Sequence, residues 1–529
     1  MAPYSLNEQE VPEDCDPRAV DTLLSKELMQ LSFTDRTNIS EEVHGVRSLA
    51  VDESDGVVIQ GLTNLQQELD QIPPCDKMAF EKAQGLSITY VNDRDFRLRF
   101  LRAELYDAKQ AAQRLTAYLD LLLKLFGVEV LKRPLRTTDF KAKDEKSCLR
   151  GGLVQLLPYR DRSGRRVMVI LSDIMSHNHI MRVKLFLYLL TVAAECEETQ
   201  QKGVLFVMWP GKETNIRMPA NEERLVCRKS FSAFPLRVVG FHFCWPNTPF
   251  FHFVRSFFVM VMGPNIRARV NFHSGERQEL SYKLMGYGIP VQLLPTTESG
   301  VIKTKNHTQW FKTRQLLEKN AGSNNTVLPS KLFGAIECPA LNDVLYERSK
   351  PCMFHPGNSQ FKGLIEAKKE EHTLLTQTGK RDFAWSIVAE VEKRKGRFLT
   401  WDRKNGYWIQ LQDRSEIRLK VATSLRDFNK HARAINKCQT TSSVCKVSFD
   451  DGQELKKRRI VISDDESSQS DSTICGGGGS SVDSSGGCLP GLLDFNFDMT
   501  KVEPAPFSPY RRISDSPVRD MLSYASRSA

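Results

Sequence analysis

The residues Gly203-Val204-Leu205-Phe206-Val207-Met208-Trp209 form a continuous apolar run without polar alternation. A strand with one wet face alternates polar and apolar side chains, so a run of this kind needs cover on both faces. It sets a sheet inside a layered domain. The neighbouring segments agree with it. Gly164–Ile170 reads as a turn and then a strand, and Val238–Trp245 and Ala268–Phe272 read as further strands. Met181–Cys196 reads as a buried helix. Strands alternating with helices predict an α/β layer with a mostly parallel sheet.

Upstream, residues 93–132 carry the strongest helical pattern. Phe96, Phe100, Leu101, Leu105, Ala108, Ala112, Leu115, Leu119, Leu122 and Leu123 recur at helical spacing and mark one buried face. Arg97, Arg99 and Arg102 fall off that face and read as solvated charge. Residues 1–74 mix acidic and apolar groups and read as a helical, partly disordered extension. Asp21–Leu31 and Asn64–Ile72 predict short amphipathic helices, the second ended by Pro73-Pro74. The opening MAPYSLNEQEVPEDCD is acidic and polar, unlike a signal peptide.

Phe250–Met262 is apolar on nearly every face, too much so for a single core-facing stripe. A membrane span needs about 20 apolar residues. This stretch is shorter and contains Arg255; Val183–Ala194 is also short and contains Lys184. Both stretches must therefore be buried, by protein or by a ligand.

Four segments in order resemble the CRAL-TRIO (Sec14-like) family. They are FRLRFLRAELYDAKQA at Phe96–Ala111, GRRVMVI at Gly164–Ile170, FPLRVVGFHF at Phe234–Phe243, and Trp245–Phe272 with its apolar stretch and returning strand. The resemblance implies a helical amino-terminal element at 75–148 beside an α/β lipid-binding domain at 149–300. It implies a sheet that floors an apolar pocket and a mobile gate helix that closes it. The expected ligand contacts are Phe206, Met208, Phe241 and Phe243 on strands, and Phe250, Phe253, Val254, Phe257, Phe258 and Val261 on the gate. Phosphoinositide-handling members of the family carry a lysine where Val259 stands here. Arg255, one turn earlier, is the candidate headgroup contact. The implied function is non-enzymatic binding, transfer or sensing of a lipid, with transient contact to a membrane surface. Burying an acyl chain contributes about 0.8 kcal/mol per methylene, which needs no polar anchor.

Residues 301–335 are polar and read as a linker. Residues 336–436 read as a small basic α+β domain. Its NDVLYERSK and HPGNSQF resemble an uncharacterised domain common in algal proteins, although Glu347 and Ser349 replace two glycines of that pattern. Asn405-Gly406 is a two-residue turn signal for a hairpin. Residues 340–436 hold 19 Lys+Arg against 12 Asp+Glu. Lys393, Arg394, Lys395, Arg397, Arg403 and Lys404 are candidate contacts to nucleic acid phosphates, or else a solvated basic face of an interaction domain. This gives an alternative reading: a regulatory adaptor that binds nucleic acid or protein, with the α/β fold as scaffold.

Residues 437–529 are rich in serine, glycine and acidic groups and predict a disordered, phosphorylated tail. Lys456–Arg459 reads as a nuclear localisation signal or as solvated charge; otherwise the chain is expected to be cytoplasmic and peripheral to membranes. The formal net charge of +10 favours acidic partners. The 12 cysteines include no C-x-x-C pair, so reduced thiols are expected rather than a zinc site. No G-x-S-x-G, G-x-x-x-x-G-K-[ST], dinucleotide or H-E-x-x-H motif occurs. No catalytic residue, metal or cofactor is expected.

Overall fold

The structure, a computed structural model, describes residues 17–210, 221–248, 255–256, 258–259, 262–322, 328–347, 352 and 355–428. The tail at 437–529, with its basic run and serines, lies outside the described residues.

The chain is a mixed α/β protein with two sheets. The larger one has the order β1-β2-β3-β4-β5, from β1 (Val154–Leu156), β2 (Arg166–Leu171), β3 (Val204–Trp209), β4 (Val238–Trp245) and β5 (Val270–Ser274). β1 runs antiparallel to β2; β2 to β5 are parallel. Every residue of β2, β3 and β4 is buried, as the unbroken apolar run of β3 requires. On one face Met168, Ile170, Phe206, Met208, Phe241, Phe243 and Trp245 join a core with the helices His179–Ala193 and Asn221–Ala233. On the other face Val167, Val169, Leu205, Val207 and Val239 meet Leu280 and Leu284 of the helix Arg277–Gly286.

The helical element packs against the first face. The stretch expected as one helical region is two helices, Arg94–Ala103 and Ala108–Phe126. Leu105 and Tyr106 take left-handed φ values of 51° and 68° between them, and Asp107 caps the second helix by accepting from the Gln110 amide. The arginines expected in solvent are not there. Arg99 and Arg102 are buried, and Arg102 forks onto Glu53 at 2.6 and 2.7 Å and reaches Glu197 at 2.7 Å. Arg97 donates to Gln66 and to Asn92. The partners of Arg102, and Gln66 for Arg97, lie far away in sequence, which is why helical spacing alone misplaces these two.

The stretch expected as a linker holds the helix Lys305–Asn320, with Phe311, Arg314, Leu317 and Glu318 buried. Its buried polar residues, His307, Thr313, Arg314 and Glu318, are paired. The Arg314 guanidinium lies 2.7 Å from Glu195, 3.0 Å from Glu337 and 3.6 Å from Glu318. Glu318 also accepts from the Tyr188 hydroxyl at 2.7 Å and the Thr137 amide at 2.8 Å. Part of the polar composition here belongs to a buried network and the rest to an exposed helix face.

The smaller sheet has the order β6-β7-β8, from β6 (Val344–Tyr346), β7 (Phe398–Asp402) and β8 (Tyr407–Gln410). The helices Pro356–Ala367 and Gln377–Lys393 and the helical residues 414–428 cover one face through Phe361, Ile387, Val421 and Leu425. β7 and β8 form the expected hairpin, but Asp402 pairs with Tyr407, so the loop has four residues instead of two. The Asp402 carboxylate explains this, because it accepts from the amides of both Lys404 and Asn405.

Candidate functional site

Phe206, Met208, Phe241 and Phe243 share one sheet face, with Phe206 beside Phe241 and Met208 beside Phe243 in register. The four are 1%, 3%, 2% and 0% exposed. Side chains that line a void keep accessible surface, so this face is filled by protein. Phe231 packs 6.4 Å from Phe206, and Phe258 packs 4.4 Å from Phe243 between ring centroids. Phe272 adds a third ring at 5.5 Å from Phe243. Of the expected gate residues, only Phe258 and Arg255 are among those described. Phe250, Phe253, Val254, Phe257 and Val261 lie outside the described residues.

The amino-terminal helix Pro17–Gln30 meets Arg255 and Val259. Val20 and Val259 are buried against each other, with Leu24 and Phe272 beside them. Arg255 pairs with Asp21 at 2.8 Å and stands over the Phe272 ring, so its charge is already engaged. Arg267 forks onto Glu27, its Nε 2.8 Å from Oε2, and also donates to the Met262 carbonyl at 2.7 Å. The sequence predicts an amphipathic helix over Asp21–Leu31 but not what it packs against. Its alternation of apolar and acidic residues is the signal for a clasp, and only the positions of Arg255 and Arg267 reveal the acceptor.

A second tie lies at the next helix, Phe33–Val43. Glu42 is 1% exposed and pairs with Arg237 and with Arg269. Burial opposes its charge, but the two guanidinium groups outweigh it and hold the carboxyl below the usual range.

In the smaller domain the sequence motifs become geometry. Asp343 is fully buried and binds Arg397 through two hydrogen bonds of 2.7 and 3.0 Å. Asn358 accepts from the Leu345 amide at 2.7 Å and donates to the Leu345 carbonyl at 3.0 Å. His355 precedes Pro356 at the start of the helix Pro356–Ala367. A Cβ at Gly357 would run into the Asp343 carbonyl oxygen, so the approach of this helix to β6 requires glycine. The D-V-L and H-P-G-N segments thus hold one helix against one strand. Residues 343–427 match a protein-family model described as a domain of unknown function, DUF6824. No curated protein matches the chain.

The six candidate phosphate-binding cations are not brought together. Arg397 is committed to Asp343, and Arg394 pairs with Glu390 at 2.9 Å. Lys393 and Lys395 are exposed at the end of the helix Gln377–Lys393, whereas Arg403 and Lys404 are exposed in the β7–β8 loop. The five residues of β7 separate the two groups by roughly 16 Å at about 3.3 Å per residue. Among the described residues no helix is long and apolar enough to cross a membrane.

Proposed function

We propose that residues 75–300 act as a CRAL-TRIO-like module that takes up one lipid or other apolar ligand, without catalysis, and that the described conformation is its closed, unliganded form. The observation that carries this reading is the aromatic sheet face of Phe206, Phe241, Phe243 and Phe272, covered by Phe258 on a segment that a separate helix clasps through ion pairs. Of its two ties the Arg255–Asp21 pair is partly exposed and contributes about 0–1 kcal/mol, so that lifting the cover has chiefly to break the buried Arg267–Glu27 pair. Lifting the cover exposes the rings of Phe206, Phe241, Phe243 and Phe272 to an acyl chain or a polycyclic ring.

The test is organic extraction of the purified full-length protein, followed by mass spectrometry, before and after incubation with vesicles of mixed lipid composition. One lipid class should copurify or be taken up at about one molecule per chain. Phe243→Asp should abolish uptake. Protein that neither carries lipid nor extracts any from vesicles rules the proposal out. The nucleic-acid reading of the smaller domain is not carried forward, because two of its six cations are paired and the others are split between two ends of a strand.

A further inference from the structure

The helix Lys305–Asn320 has one acidic residue, Glu318, and it is buried. Lys305, Lys312 and Lys319 are seven residues apart, close to two full turns. They fall on one face, in a line about 21 Å long at about 1.5 Å per residue. All three are exposed, as are the uncharged donors Thr308, Gln309 and Gln315. Phe311 and Thr313 flank Lys312 on opposite sides, since successive residues turn by about 100°. A neighbouring element is attached at each flank. Beside Phe311 lies the helix Lys143–Gly151, held by a His307 ring nitrogen 2.8 Å from the Leu149 carbonyl, and its exposed Arg150 stands 5.8 Å from the centre of the Phe311 ring. Beside Thr313 lies the β7–β8 loop, because the Thr313 hydroxyl reaches the carbonyls of Asn405 at 3.2 Å and Gly406 at 3.0 Å. A Cβ at Gly406 would run into the Gln309 side chain. Arg403 and Lys404, which β7 separates from the other basic residues of the smaller domain, thereby join the lysine line.

We infer that this face, made of Arg150, Lys305, Lys312, Lys319, Arg403 and Lys404, binds the phosphodiester backbone of double-stranded nucleic acid without reading its sequence. Among the described residues none of the six forms an ion pair. They hold only water and counterions, whose release favours binding to a polyanion. The carboxylates around the face are engaged. Glu145 pairs with Lys184, and Glu337 pairs with Arg314. Asp402 accepts from the amides of Lys404 and Asn405 and from the Asn405 side chain. Asp144 is exposed on the helix Lys143–Gly151, but it points about 120° away from Arg150.

The surroundings select the partner. The helix Lys305–Asn320 exposes no large apolar side chain, which a helix lying in a membrane surface would bury among the headgroups. The face also stands at the wrong edge of the larger sheet for a bilayer that meets the gate. Gln155 on β1 donates to the Lys303 carbonyl at 3.2 Å, so the helix begins beside β1, whereas Phe258 packs on Phe243 of β4, whose ring also meets Phe272 of β5. β1 and β5 are the two edges, about 19 Å apart at about 4.8 Å per strand. Single strands are held on aromatic platforms, but here Phe311 is buried and the Trp310 indole nitrogen is taken by Glu337 at 2.7 Å. What remains is evenly spaced charge with amide and hydroxyl donors between, which suits phosphate and sugar oxygens. The inference does not rest on lipid uptake.

The experiment follows the fluorescence anisotropy of labelled duplexes of about 30 base pairs, one of DNA and one of RNA, titrated with the full-length protein between about 50 and 200 mM salt. Binding to either duplex should weaken as salt rises. The slope of log K against log salt should fall by about 2.7 when Lys305→Gln, Lys312→Gln and Lys319→Gln are combined, at about 0.9 per phosphate contact. Arg403→Gln with Lys404→Gln should remove about 1.8. Neutralising the basic run Lys456–Arg459 should leave the difference between the unaltered protein and the triple variant in place. An unchanged slope in the triple variant or in the loop pair overturns the inference, as does tighter binding to a single strand of the same length. No binding at about 50 mM salt also overturns it, including the case in which the protein binds vesicles of phosphatidylcholine and phosphatidylserine instead. Should the triple variant fail to fold, the loop pair alone decides by the same reading.

Discussion

The five-stranded and three-stranded sheets are both covered on both faces, but by different means. The larger sheet is covered mainly by helices of its own segment, His179–Ala193 and Asn221–Ala233 on one side and Arg277–Gly286 on the other. The smaller sheet has its own helices on one face only. Elsewhere Leu345, Leu399 and Trp408 pack with Tyr159 and Ile336, and Tyr407 and Ile409 pack with Leu317, Phe333 and Ala335. Ile336 even exchanges two backbone hydrogen bonds with Trp408, of 2.8 and 3.0 Å. All of these partners precede residue 343, where the family match begins. The recurring sequence unit is therefore smaller than the unit that buries its own apolar surface.

Arg314 tests this dependence most severely. Arg314→Ala leaves Glu195, Glu318 and Glu337 buried around a missing cation, at a cost of about 3–5 kcal/mol. Urea denaturation should then show two transitions, with the smaller sheet melting first. A single transition shifted by less than about 1 kcal/mol would mean that the helix Lys305–Asn320 does not couple the sheets.

Gly357→Ala acts on the smaller sheet alone. The added methyl meets the Asp343 carbonyl and should destabilise that sheet by about 1–3 kcal/mol. Hydrogen exchange should quicken in β6 to β8 and stay unchanged in β2 to β5; a uniform change across both sheets contradicts the separation.

Acid acts on the larger sheet through the stacked pair His242 and His273, in which burial holds His242 well below the usual imidazole range, and on the smaller sheet through His355. Burial pushes His273 on β5, and His355 beside β6, down to about 4. Both are neutral in the folded state and protonate more readily when unfolded. Their contribution is fully present above pH 6.5 and is lost as pH falls toward 4, amounting to about 2 kcal/mol each by pH 5. His273→Asn and His355→Asn should each flatten the fall in stability between pH 7 and 5, and a profile unchanged by either variant removes that histidine from the account.

The smallest effect belongs to the clasp. Asp21→Asn removes the pair with Arg255 and should change global stability by less than about 1 kcal/mol. It should nevertheless speed exchange at the amides of Phe258 and Val259 and raise the rate of lipid uptake. Equal uptake rates in the two proteins would detach the amino-terminal helix from gating.

The parallel sheet was legible because burial on both faces forces a near-continuous apolar sequence, unbroken in Val204–Trp209 and interrupted only by His242 in Val238–Trp245. The hairpin of the smaller domain was legible from Asn405-Gly406, though not the length of its loop. Arg102, Arg314 and Arg397 were not, since an arginine that closes a remote ion pair has the same local sequence signature as one in solvent. Only the positions of Glu53, Glu195 and Asp343 in the fold distinguish the two. The polar segment 301–335 was misplaced for the same reason. The aromatic face was read in part: its four strand residues share one side, while the helix Pro17–Gln30 that helps to close it has no spacing that names its acceptor.

Asn358 has a consequence beyond positioning a helix. β6 lies at the edge of its sheet and is three residues long, and an edge strand is a template for another chain to extend. The Asn358 side chain occupies both the donor and the acceptor of Leu345, as a neighbouring strand would. An incoming backbone finds the central rung of that ladder already taken. A single amide thereby guards this edge against edge-to-edge aggregation, and Asn358→Leu should convert a monodisperse protein into one that self-associates as its concentration rises.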